Sequence, residues 1–99
     1  MKILELHLNL KVPISDLVEP FKELAPIFAE IRGLKWKIWY ANDEGTMAGG
    51  YYLFKDEASL DAHLNSELHK NVLESPSWSV DQKVFNVLTD FSKVTRGPI

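Results

Sequence analysis

The sequence predicts an α+β domain in which two helices cover one face of a four-stranded antiparallel sheet. Three patterns support this prediction. Residues 3–11 alternate between apolar and polar side chains, as in a half-buried strand. Residues 17–31 carry apolar side chains at helical spacing. Residues 34–54 contain two apolar runs separated by a polar segment with a glycine, which is typical of a β-hairpin.

The first strand has a clear inner face made of leucines. These are Leu4, Leu6, Leu8 and Leu10, while the opposite face carries Glu5, His7 and Asn9. Pro13 should end the strand, and Ser15 or Asp16 can cap the helix that follows.

The first helix should pack on the sheet through an apolar stripe. Its members recur at spacings of four and three residues: Leu17, Phe21, Leu24, Phe28 and Ile31. Pro26 lies inside this pattern and should kink the helix. The kink could leave a cavity beneath it or could simply fit the helix to the twist of the sheet. Gly33 suits a left-handed residue after the last turn.

The hairpin carries bulky rings on both faces, so both faces need a covering. The sequence favours Trp36, Tyr40 and Tyr52 on the helix side, and Trp39 and Tyr51 on the other. Gly49 and Gly50 interrupt the second apolar run, which indicates either a bulge or a close approach by a ligand.

The rest of the chain supplies a second helix and a fourth strand. Asp56 is a good cap for the helix, whose inner side would be Ala58, Leu60, Leu64 and Leu68. Residues 69–77 resemble a loop, 78–88 an extended strand, and 90–99 a short helical turn with a loose tail. The order β-α-β-β-α-β is ferredoxin-like and forms one domain over residues 1–99.

The face without helices is expected to be a homodimer interface. Strand parity places on it Glu5, His7, Asn9, Lys37, Trp39, Tyr51, Leu53, Lys83 and Phe85. The rings in this set need burial and the charges need partners. Two such sheets packed face to face would satisfy both needs.

Composition excludes several function classes. The net charge is −3 with no basic stripe, so binding to nucleic acid is not expected. There are no cysteines, and no apolar run approaches the length of a membrane span. The amino terminus enters the alternating pattern directly, without a signal-like apolar core, so we expect a cytoplasmic protein.

Several segments resemble the YdhR-like putative mono-oxygenase family. They are Leu6-His7, residues 36–39, residues 48–54 and residues 83–87. The resemblance implies a dimeric α/β-barrel, in which two ferredoxin-like sheets enclose a shared interior with helices outside. The wider superfamily includes cofactor-independent oxygenases of aromatic polyketides, as well as haem-binding and haem-degrading proteins.

The motifs for common cofactors are missing. The chain has no glycine-rich dinucleotide or phosphate loop, and its histidines lack metal-ligand spacing. We therefore expect no cofactor and no metal. With the resemblance, this favours a cofactor-independent mono-oxygenase acting on a small aromatic or quinol-like compound. The alternatives are a non-catalytic module that binds a small hydrophobic ligand, as in a stress response, and a haem protein with His63 as ligand.

Candidate site residues follow from that reaction. His63 could act as base or proton shuttle on the helix side, and His7 could handle protons if the pocket opened towards the barrel. Asn9 could polarise a substrate oxygen. The candidate substrate walls are Trp36, Trp39, Tyr40, Tyr51 and Tyr52. Each of these residues has an alternative as a core or interface side chain, and His69 should be a solvated loop residue.

Overall fold

The computed structural model describes all 99 residues as a single four-stranded sheet with helices. Its elements are β1 (Lys2–Leu10), a 3-10 turn (Ile14–Leu17), α1 (Val18–Ala29), β2 (Leu34–Ala41), β3 (Met47–Phe54), α2 (Glu57–Leu64), α3 (Glu67–Glu74), β4 (Trp78–Asn86) and α4 (Thr89–Val94). The strand order is β2-β3-β1-β4, and every neighbouring pair is antiparallel. The predicted ferredoxin-like fold is confirmed. No helix is both long enough and apolar enough to cross a bilayer.

The core lies between the helices and the leucine face of β1. Leu4 and Leu6 are almost fully buried with Phe28 of α1 and Leu60 of α2. A second cluster joins Leu8 to two neighbours, Leu17 and Trp78. The period-2 pattern of β1 and the stripe on α1 therefore pack against each other as predicted. Burial of each such side chain stabilises the fold by about 1.5–3 kcal/mol.

A β-bulge near the start of β2 reverses the predicted orientation of its side chains. Leu34 pairs with Phe54, yet Trp36 pairs with Leu53, so the strand contains one extra residue. Because side chains alternate with a period of two, one extra residue moves every later side chain to the other face. The predictions for four residues were therefore wrong: Lys37 and Trp39 face the helices, and Trp36 and Tyr40 face the uncovered side.

The second helical segment is broken into α2 and α3. Asp56 caps α2 as predicted, accepting a hydrogen bond from the Ser59 backbone N–H at 2.8 Å. Ser66 then ends one helix and starts the next, because its hydroxyl donates to the His63 carbonyl and accepts from the His69 N–H. The loop predicted from residue 69 was wrong, and His69 is 2% exposed instead of solvated.

The predicted start of the first helix was also wrong. A 3-10 turn precedes α1, and neither Ser15 nor Asp16 caps it with a side-chain hydrogen bond. Pro26 lies inside α1 as the sequence indicates. Gly33 has the predicted left-handed conformation, with φ of +80°, in the turn that leads into β2.

Candidate functional site

A cleft opens between the sheet and α1, and nine of its twelve lining residues are hydrophobic. The aromatic walls are Phe21, Phe28, Trp39, Tyr52 and Trp78. Atom-free space in the cleft, mouth included, is about 360 Å³, whereas its enclosed cavity measures about 30 Å³. A buried water needs roughly 10–15 Å³ of such a cavity. The cleft as it stands therefore has room for only a few waters.

The Lys37 amine lies among three of these rings. Its Nζ atom is 3.5 Å from the ring centroid of Trp39, 3.6 Å from that of Phe28 and 4.5 Å from that of Tyr52. No carboxylate lines the cleft. The ring faces attract an ammonium, but removal from water disfavours its charge. Burial lowers the pKa of Lys37 from 10.5 to about 7, so a large fraction of the amine is uncharged at neutral pH.

Gly50 makes room for the lysine side chain. A Cβ atom at this position would lie 2.7 Å from Lys37 Cε, closer than real Cβ contacts allow. Gly49 faces the other side of the sheet, where a Cβ atom would clash with the Leu6 carbonyl oxygen and with the Tyr40 ring. The bulge lies in β2 and not at the glycines. The two glycines instead allow side chains of β2 to cross β3 on opposite faces.

A pair of buried histidines lies behind Tyr52. His63 is 4% exposed, and its ring centroid is 5.5 Å from that of Tyr52 and 5.1 Å from that of His69. His69 Nε2 is 2.9 Å from Gln82 Oε1. His63 Nε2 and His69 Nδ1 have no hydrogen-bond partner. Burial, with smaller effects of His69 and Lys37, lowers the pKa of His63 to about 4, and so its ring is neutral at pH 7.

The opposite face carries a separate polar cluster. Tyr40 donates a hydrogen bond to Glu5 Oε2 at 3.3 Å, and His7 Nδ1 is 3.2 Å from the same hydroxyl. Because the single hydroxyl proton goes to Glu5, His7 Nδ1 acts as the donor in this geometry. Burial, together with the Glu5 charge, raises the pKa of Tyr40 to about 12. A hydrogen bond to Glu5 also raises the pKa of Tyr51.

The predicted site residues thus fall into two groups on opposite faces of the sheet. Trp39 and Tyr52 line the cleft, and the Tyr52 ring separates His63 from it. The other face holds His7, Asn9, Trp36, Tyr40 and Tyr51. Asn9 donates to Asp81 at 3.4 Å, and Trp36 donates to the Pro98 carbonyl at 2.7 Å. No direct contact joins His7 to His63, so these two candidates belong to different sites.

Sequence reasoning missed Lys37 as a residue of the helix-side cleft. One signal was present, since a lysine between Trp36 and Ile38 is unusual within an apolar strand. Gly50, which pairs with Trp39, gives the second signal, because a glycine on the neighbouring strand leaves room for a long side chain such as Lys37. No residue pattern in the sequence predicts the β-bulge that turns Lys37 towards the helices.

Comparison with protein families identifies the group to which the chain belongs. Residues 3–98 match the family model described as "Putative mono-oxygenase ydhR". The chain belongs to this family. The predicted resemblance is thereby confirmed, and the match spans the cleft, the histidine pair and the polar cluster. A comparison with curated proteins finds no match.

Solved structures similar to this YdhR-family chain share its fold. SnoaB, a cofactor-independent oxygenase from Streptomyces nogalater, has 11% identity and a TM-score of 0.73, with 87% of this chain and 91% of that chain covered. A structure described as an antibiotic biosynthesis monooxygenase has 15% identity and a TM-score of 0.69 over 89% and 99% of the two chains. NE2512 from Nitrosomonas europaea has 21% identity and a TM-score of 0.69, with 88% of each chain covered. Such low identities establish the fold alone.

Proposed function

We propose that this protein is a cofactor-independent mono-oxygenase that acts on a small aromatic or quinol-like compound bound in the cleft beside Lys37. Family membership supports the reaction class. The observation that carries the proposal is an amine with a pKa of about 7, surrounded by rings and without a carboxylate partner. Such an amine can take a proton from a phenol at neutral pH, and the rings can hold a flat substrate.

The reaction starts with proton transfer from the phenol to uncharged Lys37. The resulting phenolate is electron-rich and gives one electron to dioxygen. Recombination of the two radicals forms a carbon–oxygen bond at a ring carbon that carries hydrogen. Loss of water from the peroxide, with a proton returned by the Lys37 ammonium, leaves a quinone. One oxygen atom enters the product and the other leaves as water, so the substrate supplies all the electrons.

Residues around the cleft would assist in different ways. The ammonium formed on Lys37 would stabilise the phenolate and the peroxide in a site that contains little water. Tyr52 lies between Lys37 and His63, and burial raises its pKa, so it stays protonated and can donate a hydrogen bond. His63 does not line the cleft itself, so it would influence the reaction only through its ring contact with Tyr52.

Oxygen uptake with a panel of electron-rich phenols tests this proposal. The wild-type protein should consume oxygen, and labelled dioxygen should place one labelled atom in the product. Lys37→Met should lower the rate at least tenfold because the base is lost, whereas Lys35→Met, a change at an exposed neighbouring lysine, should leave it unchanged. No uptake with any phenol, or equal rates for Lys37→Met and wild type, would exclude the proposed reaction.

A non-catalytic role in binding a small hydrophobic ligand is the second candidate. The hydrophobic lining of the cleft favours it, since apolar burial alone can retain such a ligand. Mass spectrometry of gently purified protein would separate the two candidates. A retained compound that is never converted would support binding, whereas turnover of that compound would support the oxygenase.

We also propose that two copies associate through the sheet face opposite the helices. Large apolar side chains are exposed there, among them Ile38 (51%) and Phe85 (48%). Glu5 and Lys83 are cross-strand partners on the same face and could pair across or within the interface. Apolar residues at and just before α4 are exposed as well: Leu88, Phe91 and Val94. Patches of this kind are typical of protein–protein interfaces.

A further inference from the structure

The Lys37 amine has the setting of a carbonyl-binding nucleophile. Its charged form has no acidic partner in the cleft, and three rings surround it at 3.5–4.5 Å. The titratable neighbours are Tyr52 on β3 and, behind it, His63 on α2, both neutral at pH 7. Lysines desolvated in hydrophobic pockets are activated in this way towards carbonyl compounds. We propose that Lys37 forms a reversible imine with small aromatic aldehydes that enter the cleft.

The chemistry of this step needs no further reactant. The nitrogen lone pair attacks the carbonyl carbon, and the carbonyl electrons move to oxygen, which takes a proton from nitrogen. The hydroxyl of the carbinolamine then leaves with the second nitrogen proton as water, and a carbon–nitrogen double bond remains. Neither an oxidant nor a reductant takes part. This activity therefore goes beyond the proposed oxygenase and does not depend on it.

Burial favours the imine over the protonated amine. An ammonium enclosed by rings loses the hydration that it has in water, whereas a neutral imine has no charge to desolvate. The cleft has room for only a few waters beside the lysine, about 30 Å³, which limits hydrolysis. An aryl group on the imine carbon can lie against Phe21, whose ring centroid is 5.1 Å from that of Trp39 and 6.2 Å from that of Trp78. Aromatic aldehydes should therefore be preferred over aliphatic ones of similar size.

Reductive trapping with benzaldehyde and cyanoborohydride at pH 7 tests the proposal. Reduction of the imine adds one benzyl group, which peptide mapping assigns to a residue. Lys37 should be labelled at least a hundredfold faster than Lys35, because the uncharged fraction of an amine with a pKa near 7 is about a thousandfold larger than that of an exposed lysine.

Two variants make the test specific. Lys37→Met should lose the fast label and keep the slow ones. Gly50→Ala retains the lysine but should displace its end from the rings, because the new methyl would lie 2.7 Å from Lys37 Cε, and labelling should slow at least tenfold. Labelling of Lys37 at the rate of Lys35, or only after unfolding, would overturn the proposal. Fast labelling in a protein that consumes no oxygen would support the imine and exclude only the oxygenase.

Discussion

Replacing Lys37 by methionine should stabilise the protein at neutral pH. Methionine keeps an unbranched side chain of similar length, so the contacts of the lysine stem are largely retained. The substitution removes an amine that the fold holds away from water beside Trp39 and Phe28 without a counter-ion. A core substitution normally destabilises, so a gain in stability is a specific expectation.

The size of the gain follows from the pKa. One pKa unit corresponds to about 1.4 kcal/mol, and the pKa of Lys37 falls from 10.5 to about 7. Desolvation of the charge therefore costs about 5 kcal/mol below pH 7. The variant should gain about 4 kcal/mol at pH 7, which raises the Tm of a domain this size by about 20 °C.

The gain should depend on pH in a defined direction. Between pH 7 and 10.5 the unfolded chain keeps the Lys37 proton, whereas the folded protein has released it. The free energy of unfolding of the wild type therefore rises with pH across this window. Near pH 10 the difference between wild type and variant should shrink below about 1 kcal/mol, since the charge is then absent from the folded protein.

Urea unfolding at pH 7 and pH 10 measures both effects. The Lys35→Met variant is the matched control, because Lys35 is exposed and its replacement should change stability by less than about 0.5 kcal/mol. The reasoning would be refuted if Lys37→Met were less stable than the wild type at pH 7. It would also be refuted if the stability gain of the variant were the same at pH 7 and pH 10.

Three further outcomes are expected. Gly49→Ala should lower the free energy of unfolding by roughly 1–3 kcal/mol, because its methyl would meet the backbone of β1. Gly50→Ala should lower it by less than about 1 kcal/mol, since only the flexible end of Lys37 must move. Equal urea midpoints for the two variants would contradict this difference. The free energy of unfolding of the wild type should fall from pH 6.5 to pH 4, because there the unfolded chain binds a proton at His63 that the folded protein does not. In His63→Phe this pH dependence of stability should be weaker. The same pH dependence in both proteins would contradict the expectation. Phe85→Glu should give a monomer by light scattering if the exposed face joins two copies, and an unchanged mass would argue otherwise.

The sequence predicted the fold because its periodic patterns matched the packing. The leucines of β1 and the stripe on α1 both pack in the core, and Asp56 caps α2 through its side chain. These features depend on local residue spacing, which a sequence displays directly. The predicted set of aromatic residues also included the cleft residues Trp39 and Tyr52.

The site was harder to predict because it depends on irregularities. One extra residue near Leu34 in β2 exchanges the faces of the following side chains, so Lys37 was assigned to the wrong side. The break at Ser66 similarly brings His63 and His69 to a ring separation of 5.1 Å, although one continuous helix would have kept them apart. Contacts between elements distant in the sequence determine both irregularities, and the spacing of apolar residues along the chain does not reveal them.

The pKa of Lys37 itself tests the central claim most directly. A nuclear magnetic resonance titration of the protein with labelled lysine follows the Cε resonance of each lysine side chain. The resonance that is missing from the Lys37→Met variant belongs to Lys37. We expect this resonance to titrate near pH 7. Titration near 10.5 would contradict the claim that an uncharged amine is available in the cleft at neutral pH.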